Sequence, residues 1–244
     1  MRPARIRDIK MKKQIRLFTT AMVFIAMSLC VSCNKDDEEQ NGGGGTGNHE
    51  YHEYVDLGLS VKWATCNLGA TNPEDYGDYF AWGETTAKSN YDWTTYKWCN
   101  GSYNTLTKYN TDLSCGTVDN KTMLDLADDA AAQNWGYGWR MPTQAEWQEL
   151  YDNTTSVWTT QNGVYGRLFT GTKPDYTGVT LFLPAAGYRD GTSLYGAGSI
   201  GHFWSGSLYS DNPNYACSML FYSGYVTPQS GLTRCIGFTM RPVR

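Results

Sequence analysis

The chain has 244 residues, 26 of them glycine, with 18 Tyr, 9 Trp and 8 Phe but only 18% charged residues. An average soluble domain carries roughly 25% charge and about 7% glycine, so this is the profile of a loop-rich globular domain with strands, and it excludes coiled coil, collagen and wholesale disorder. The net charge of −4 divides unevenly: residues 1–32 hold seven basic side chains and one acid, leaving 13 basic and 23 acidic beyond them. An acidic body has no basic face with which to release counterions from a phosphate backbone, which argues against a nucleic-acid partner.

The N-terminus reads as an address. Met11-Lys12-Lys13-Gln14-Ile15-Arg16 is a basic n-region, and Leu17 to Asn34 then runs 18 residues without a charge. That stretch, diluted by Thr19, Thr20, Ser28 and Ser32, suits a secretory signal starting at Met11 better than a membrane span. It ends Ser28-Leu29-Cys30-Val31-Ser32-Cys33, which resembles a bacterial lipobox with cleavage before Cys33 and lipid on its thiol. The following Asn34-Lys35-Asp36-Asp37-Glu38-Glu39-Gln40 resembles the acidic export tag of outer-surface lipoproteins, and residues 41–48 form a Gly-rich flexible spacer. The expected organisation is a signal peptide over 1–32, a lipidated Cys33 with tag and linker over 33–50, and one domain over 51–244, outer-membrane anchored and surface exposed. Contact with the membrane would be through lipid alone.

Within the domain, Tyr54–Ala64 alternates well enough for a strand pair bent at Gly58, and Tyr76–Gly83 reads as a buried aromatic loop. Asn100-Gly101, Asn162-Gly163 and Asp190-Gly191 mark tight turns that need positive φ. Met123, Leu124, Leu126, Ala127, Ala130 and Ala131 make a stripe at helical spacing, so a helix is expected over 121–134. A second begins after Pro142, where Thr143 followed by Glu146 forms a capping box and Asn153 ends it. Strands are expected at 166–170, 179–183, 185–189, 201–207, 215–222 and 237–243. Two helices among antiparallel strands define an α+β fold.

Trp139-Arg140-Met141-Pro142-Thr143-Gln144-Ala145-Glu146-Trp147 resembles the RLPTEAEWE signature of the formylglycine-generating-enzyme family, a branch of the C-type-lectin-like fold. Residues 54–70 (YVDLGLSVKWATCNLGA), 79–84 (YFAWGE), 183–189 (LPAAGYR), 203–207 (FWSGS) and 240–243 (MRPV) are similar to a narrower lipoprotein group, the Fibrobacter succinogenes major paralogous domain. The resemblance implies a C-type-lectin-like fold over the whole domain. Val226-Thr227-Pro228-Gln229, a polar turn and Arg234 further resemble the C-terminal cassette of proteins diversified by retroelements.

The related enzymes oxidise thiols with a close pair of late cysteines, whereas here Cys217 and Cys235 lie 18 residues apart, so no catalytic set is expected. Removing Cys30 and Cys33 leaves five cysteines; Cys217–Cys235 and Cys99–Cys115 are disulfide candidates in an oxidising compartment, with the connectivity open. His49 and His52 read as solvated linker residues without zinc-helix spacing, and Asp211-Asn212-Pro213-Asn214 lacks the acid of a calcium-lectin motif. No cofactor or metal is therefore expected, with structural calcium an unsupported option. Trp63, Trp82, Trp139, Trp147 and Trp204 are assigned to the core.

Alternation along 215–222 places Cys217, Met219 and Phe221 inward and Ser218, Leu220 and Tyr222 outward. With Tyr209, Tyr215, Tyr225, Leu232 and Ile236 these form an expected Tyr- and Ser-rich recognition surface. The expected function is non-catalytic binding of an extracellular protein or glycan. The alternatives are an enzyme related to the formylglycine oxidases and a structural module of a surface adhesin assembly.

Overall fold

The computed structural model describes residues 52–244. A division of the chain falls between Ser32 and Cys33, and everything described belongs to the second unit. The signal peptide, the lipidation site Cys33, the acidic tag, the Gly-rich spacer and His49 lie outside the described residues.

The architecture is α+β, with antiparallel sheets and two helices. β1 (Tyr54–Val55) pairs with β2 (Trp63–Ala64) across the bend at Gly58, whose φ is +70°. α1 (Ala130–Trp135) and α2 (Gln144–Asp152) follow, then β3 (Thr154–Gln161), β4 (Val164–Gly171) and β5 (Thr180–Pro184) as one sheet in chain order. β6 (Tyr188–Asp190) and β7 (Ser193–Tyr195) form a ribbon. β8 (Gly201–Leu208), β9 (Tyr215–Tyr222) and β10 (Tyr225–Thr233) form the second three-stranded sheet, with β9 in the middle.

The capping box forms as the sequence requires. Thr143 accepts from the Glu146 amide, and Glu146 accepts from the Thr143 amide. Glu146 is held in turn by Arg140, at 2.8 and 2.5 Å. Trp147 and Leu150 carry the buried face.

The helix expected over 121–134 is replaced by an extended piece, a single turn at Leu126–Asp128 and the six-residue α1. Aspartates explain the break, because their side chains offer backbone amides and tertiary donors an alternative to helix continuation. Asp129 caps α1 through the Ala132 amide and also accepts from the Met141 amide, and buried Asp128 accepts from Lys97, Lys108 and Tyr109. Leu124 and Leu208 instead take part in backbone hydrogen bonds that lay residues 122–124 along β8, and Met123 and Leu126 are exposed.

Three strands, β3, the three-residue β7 and β10, were not legible. β3 is rich in Thr with an exposed outer face, and β10 contains Pro228, which a register shift between Thr227 and Ser230 accommodates. Conversely, residues 237–243 form no continuous strand. They run through isolated bridges to β6, to Phe80, to β8, to β2 and to Arg140. Every residue from Arg234 to Val243 is buried.

The core has two parts. One gathers Trp82, Tyr109, Trp204, Ala216, Cys235, Ile236 and Phe238; the other gathers Trp63, Trp147, Phe169, Phe203, Met219 and Phe221. Trp204 and Ala216 belong to the first part, and Phe203, Met219 and Phe221 to the second. The β8–β9 sheet therefore lies between the two parts and is buried on both faces. The inward assignment of Cys217, Met219 and Phe221 holds, as does that of all five tryptophans.

The outward assignment of Ser218 does not hold. It is fully buried opposite Trp204, and its hydroxyl donates to the Ser230 carbonyl. Leu220 is half-buried opposite His202, and Ile236 is buried in the first core. Alternation identifies two faces of a strand but cannot say that both are covered.

The five described cysteines are free. Cys217 shares the face of Met219 and Phe221, whereas Cys235 packs in the core reached from the Ala216 face, so the two thiols lie on opposite sides of β9. The Cys99 thiol donates to the Trp93 carbonyl, while Cys115 accepts from the Asn214 amide, so neither candidate bridge forms. His52 is not a solvated linker residue: its ring stacks on Trp135 at 3.7 Å.

His202 is buried between Phe238, stacked at 4.5 Å, and Tyr188, edge-on at 5.6 Å, and its Nδ1 meets no protein acceptor or donor. Burial pushes its pKa down from 6.5 to about 4, so the folded protein holds the ring neutral. The unfolded chain binds the extra proton first, so this contribution is complete above pH 6.5 and is lost as pH falls toward about 4. The loss amounts to roughly 2–3 kcal/mol. Urea unfolding across that window should show this slope for the natural chain and a shallower one for His202→Leu; equal slopes would refute the assignment.

Candidate binding surface

With both faces of the β8–β9 sheet occupied, side chains free to meet a partner are found where hairpins leave the core. The β9–β10 hairpin turns at Ser223-Gly224, between Tyr222 and Tyr225. The two tyrosine rings stack at 5.4 Å, and both remain over 40% exposed. The hairpin is clamped from β4 by Arg167. Its Nη1 donates to the carbonyls of Tyr222 (3.1 Å) and Tyr225 (2.9 Å), and its Nε donates to the Ser156 hydroxyl on β3 (3.0 Å). Arg167 is buried, and burial pushes its pKa below the ordinary guanidinium value. The carbonyl acceptors compensate in part, because hydrogen bonds to an ionised group are about twice as strong as neutral ones.

The same clamp joins a second aromatic pair to the surface. Trp158 lies opposite Arg167 in the β3–β4 register, stacks on Tyr165 at 5.9 Å and meets Phe221 edge-on at 6.4 Å. The β3–β4 turn is Asn162-Gly163, with φ of +48° and +84°, the pattern that a two-residue turn between twisted strands demands. Tyr165, beside this turn, is 51% exposed.

The candidate residues therefore divide. Tyr222 and Tyr225 are displayed at one end of β9. Tyr215, partly exposed, lies at the other end of this eight-residue strand, with the half-buried Tyr209 packed beside it at 6.4 Å. Eight residues of strand separate the ends by roughly 23 Å. Leu232 pairs with Ala216 near that far end and packs against the first core. Ser218 and Ile236 are buried, as described. Trp158, Tyr165 and Arg167 escaped the sequence reading, although Asn162-Gly163 flanked by Thr and aromatic alternation carries the signal of the hairpin that holds them.

The thiols offer little chemistry. Burial pushes Cys217 up to about 11 and Cys235 up to about 12, which disfavours the nucleophilic thiolate. Among the described residues no group of three or more His, Cys, Asp or Glu side chains could hold a metal ion, and no helix is long and apolar enough to cross a membrane. Compared with protein families, with curated proteins and with solved structures, the chain finds no match.

If Arg167 sets the hairpin, Arg167→Gln should lower unfolding stability by about 1–3 kcal/mol and speed hydrogen exchange at the amides of Tyr222 to Tyr225. Arg167→Lys, with one point donor in place of a fork, should recover only part of the protection. Exchange rates identical to the natural chain would rule the clamp out.

Proposed function

We propose that this protein is a surface-displayed lipoprotein, anchored through Cys33, whose C-type-lectin-like domain binds an extracellular protein or glycan without catalysis. The observation that carries this reading is the exposed aromatic tip of the β9–β10 hairpin, Tyr222 stacked on Tyr225, held rigid by Arg167. Tyrosine supplies broad amphipathic contact area at low conformational cost, and a clamped backbone loses less entropy on binding. Trp158 and Tyr165 extend the same surface with a second stacked pair. The α+β architecture and the signature segments spread in order along it support the fold assignment. The high thiol pKa values weigh against the oxidase chemistry of the related enzymes.

Probing an array of glycans and secreted proteins with the full chain tests the reading. The expected result is a discrete set of ligands whose affinity falls about tenfold or more with Tyr222→Ala plus Tyr225→Ala, with an unchanged urea midpoint. A ligand bound equally well by the double variant would move the site elsewhere. Mass spectrometry of the membrane-extracted protein should find acyl chains on Cys33, and an unmodified Cys33 would remove the anchor.

A further inference from the structure

A second region, separate from the hairpin surface, has the character of a small-molecule site. A surface cavity of about 580 Å³ opens between the segment 77–91 and the β6–β7 ribbon. That size lies within the roughly 300–1,000 Å³ usual for ligand pockets. Its walls are pinned. The Tyr79 hydroxyl donates to the Ala186 carbonyl, the Tyr91 hydroxyl donates to the Tyr79 carbonyl, and the Lys88 amide donates to the Tyr91 hydroxyl at 3.1 Å. Tyr91 and Gly191 exchange two backbone hydrogen bonds, and Arg189 and Gly237 exchange two more. The pocket is thus built before any ligand arrives.

Its charges are not matched to one another. Arg189 stands over the Tyr79 ring at 5.2 Å, and its guanidinium meets no hydrogen-bond acceptor or carboxylate among the described residues. Arg140, Arg167, Arg234 and Arg241 all commit theirs to protein oxygens. Asp78, on the wall of the same cavity, is exposed and has neither an ion pair nor a side-chain hydrogen bond among the described residues. Lys88 is already held by Glu84 at 2.9 Å and by the Thr95 carbonyl at 3.0 Å. Burial pushes Tyr91 up, and Arg189 and Asp78 act on it in opposite senses, so both charges bear on one place. Ser89 and Thr192 bring hydroxyls to the wall.

A free cation and a free carboxylate, on a fixed wall but beyond ion-pair reach of each other, are the complement of a ligand carrying both charges. We propose that this cavity binds a small zwitterion of the α-amino-acid class, with its carboxylate on Arg189 and its ammonium on Asp78. A forked guanidinium reads a carboxylate through two parallel hydrogen bonds, which a lysine in that place would not do.

The test is thermal unfolding of the full chain in the presence of each L-amino acid singly, with acetate and methylammonium as probes bearing one charge each. At least one amino acid should raise Tm in a concentration-dependent manner while neither single-charge probe does. Calorimetric titration of that amino acid should then weaken about tenfold or more with Asp78→Asn and with Arg189→Gln, the size of one charge-assisted contact. Thr192→Glu, an exposed change that offers Arg189 a rival carboxylate, should weaken it similarly and keeps the test open if Arg189→Gln unfolds. The proposal is overturned if no amino acid shifts Tm, if acetate alone reproduces the shift, or if binding is unchanged in both Asp78→Asn and Thr192→Glu.

Discussion

The burial of the ten residues from Arg234 to Val243 organises this molecule. From Arg234 to Val243 the chain has no surface of its own, and its backbone must find partners wherever it passes. It finds them in turn at Trp82, Arg189, Phe80, Trp204, Leu68, Ala64 and Arg140. Segments distant in sequence are thereby fastened to one thread. Two buried arginines on that thread extend its reach: Arg234 donates to the carbonyls of Lys108 and Tyr109, and Arg241 to Asn67, Ala64 and Thr65. Neither uses a carboxylate. Each buried charge is offset by oriented peptide oxygens, which also fixes loops that would otherwise have few internal contacts.

A consequence follows for where recognition can occur. Phe238, on the thread, stacks on Trp204 at 4.0 Å and on His202, closing one side of the β8–β9 sheet, while Trp147 and Phe169 help close the other. A sheet buried twice cannot serve as a binding face, so the exposed aromatic rings of this sheet are found at its strand ends, Tyr215 at one and Tyr222 with Tyr225 at the other. The Arg167 clamp makes one such end firm by tying β4 to the β9–β10 turn. The cavity between Asp78 and Arg189 is bounded by the same thread through Gly237, whose position against the Tyr91 ring leaves no room for a Cβ. Rigid framework and open chemistry therefore meet at the margins of the core.

Local signals were legible where the interaction that decides an element is itself local. The Thr143–Glu146 box depends on four residues and forms as expected. β9 coincides with its expected span, and Asn162-Gly163 turns as its positive φ values require. The apolar stripe over 121–134 failed because Asp128 is drawn to Lys97, Lys108 and Tyr109, partners 19 to 31 residues away, and that competition is invisible in a helical wheel. β10 was obscured by Pro228, tolerated only because the partner strand permits a register shift. Of the candidate residues, Tyr222 and Tyr225 were found by their type and place beside a turn, whereas Trp158, Tyr165 and Arg167 flank a turn that the sequence did mark, at Asn162-Gly163, but were not assigned to the surface because β3 itself was not legible.

By itself the amino-acid sequence determined an acidic, aromatic, glycine-punctuated α+β domain, the start of α2, the inward row of β9 and the tryptophan core. These follow from composition, period and capping, which act over a few residues. Only the tertiary structure decided that Ser218 is sealed, that Cys217 and Cys235 point to opposite sides of a strand, and that Arg189 and Asp78 share one cavity. Each of these depends on which distant segment covers a given face, and the spacing of residues along a chain carries no record of what will be laid across them.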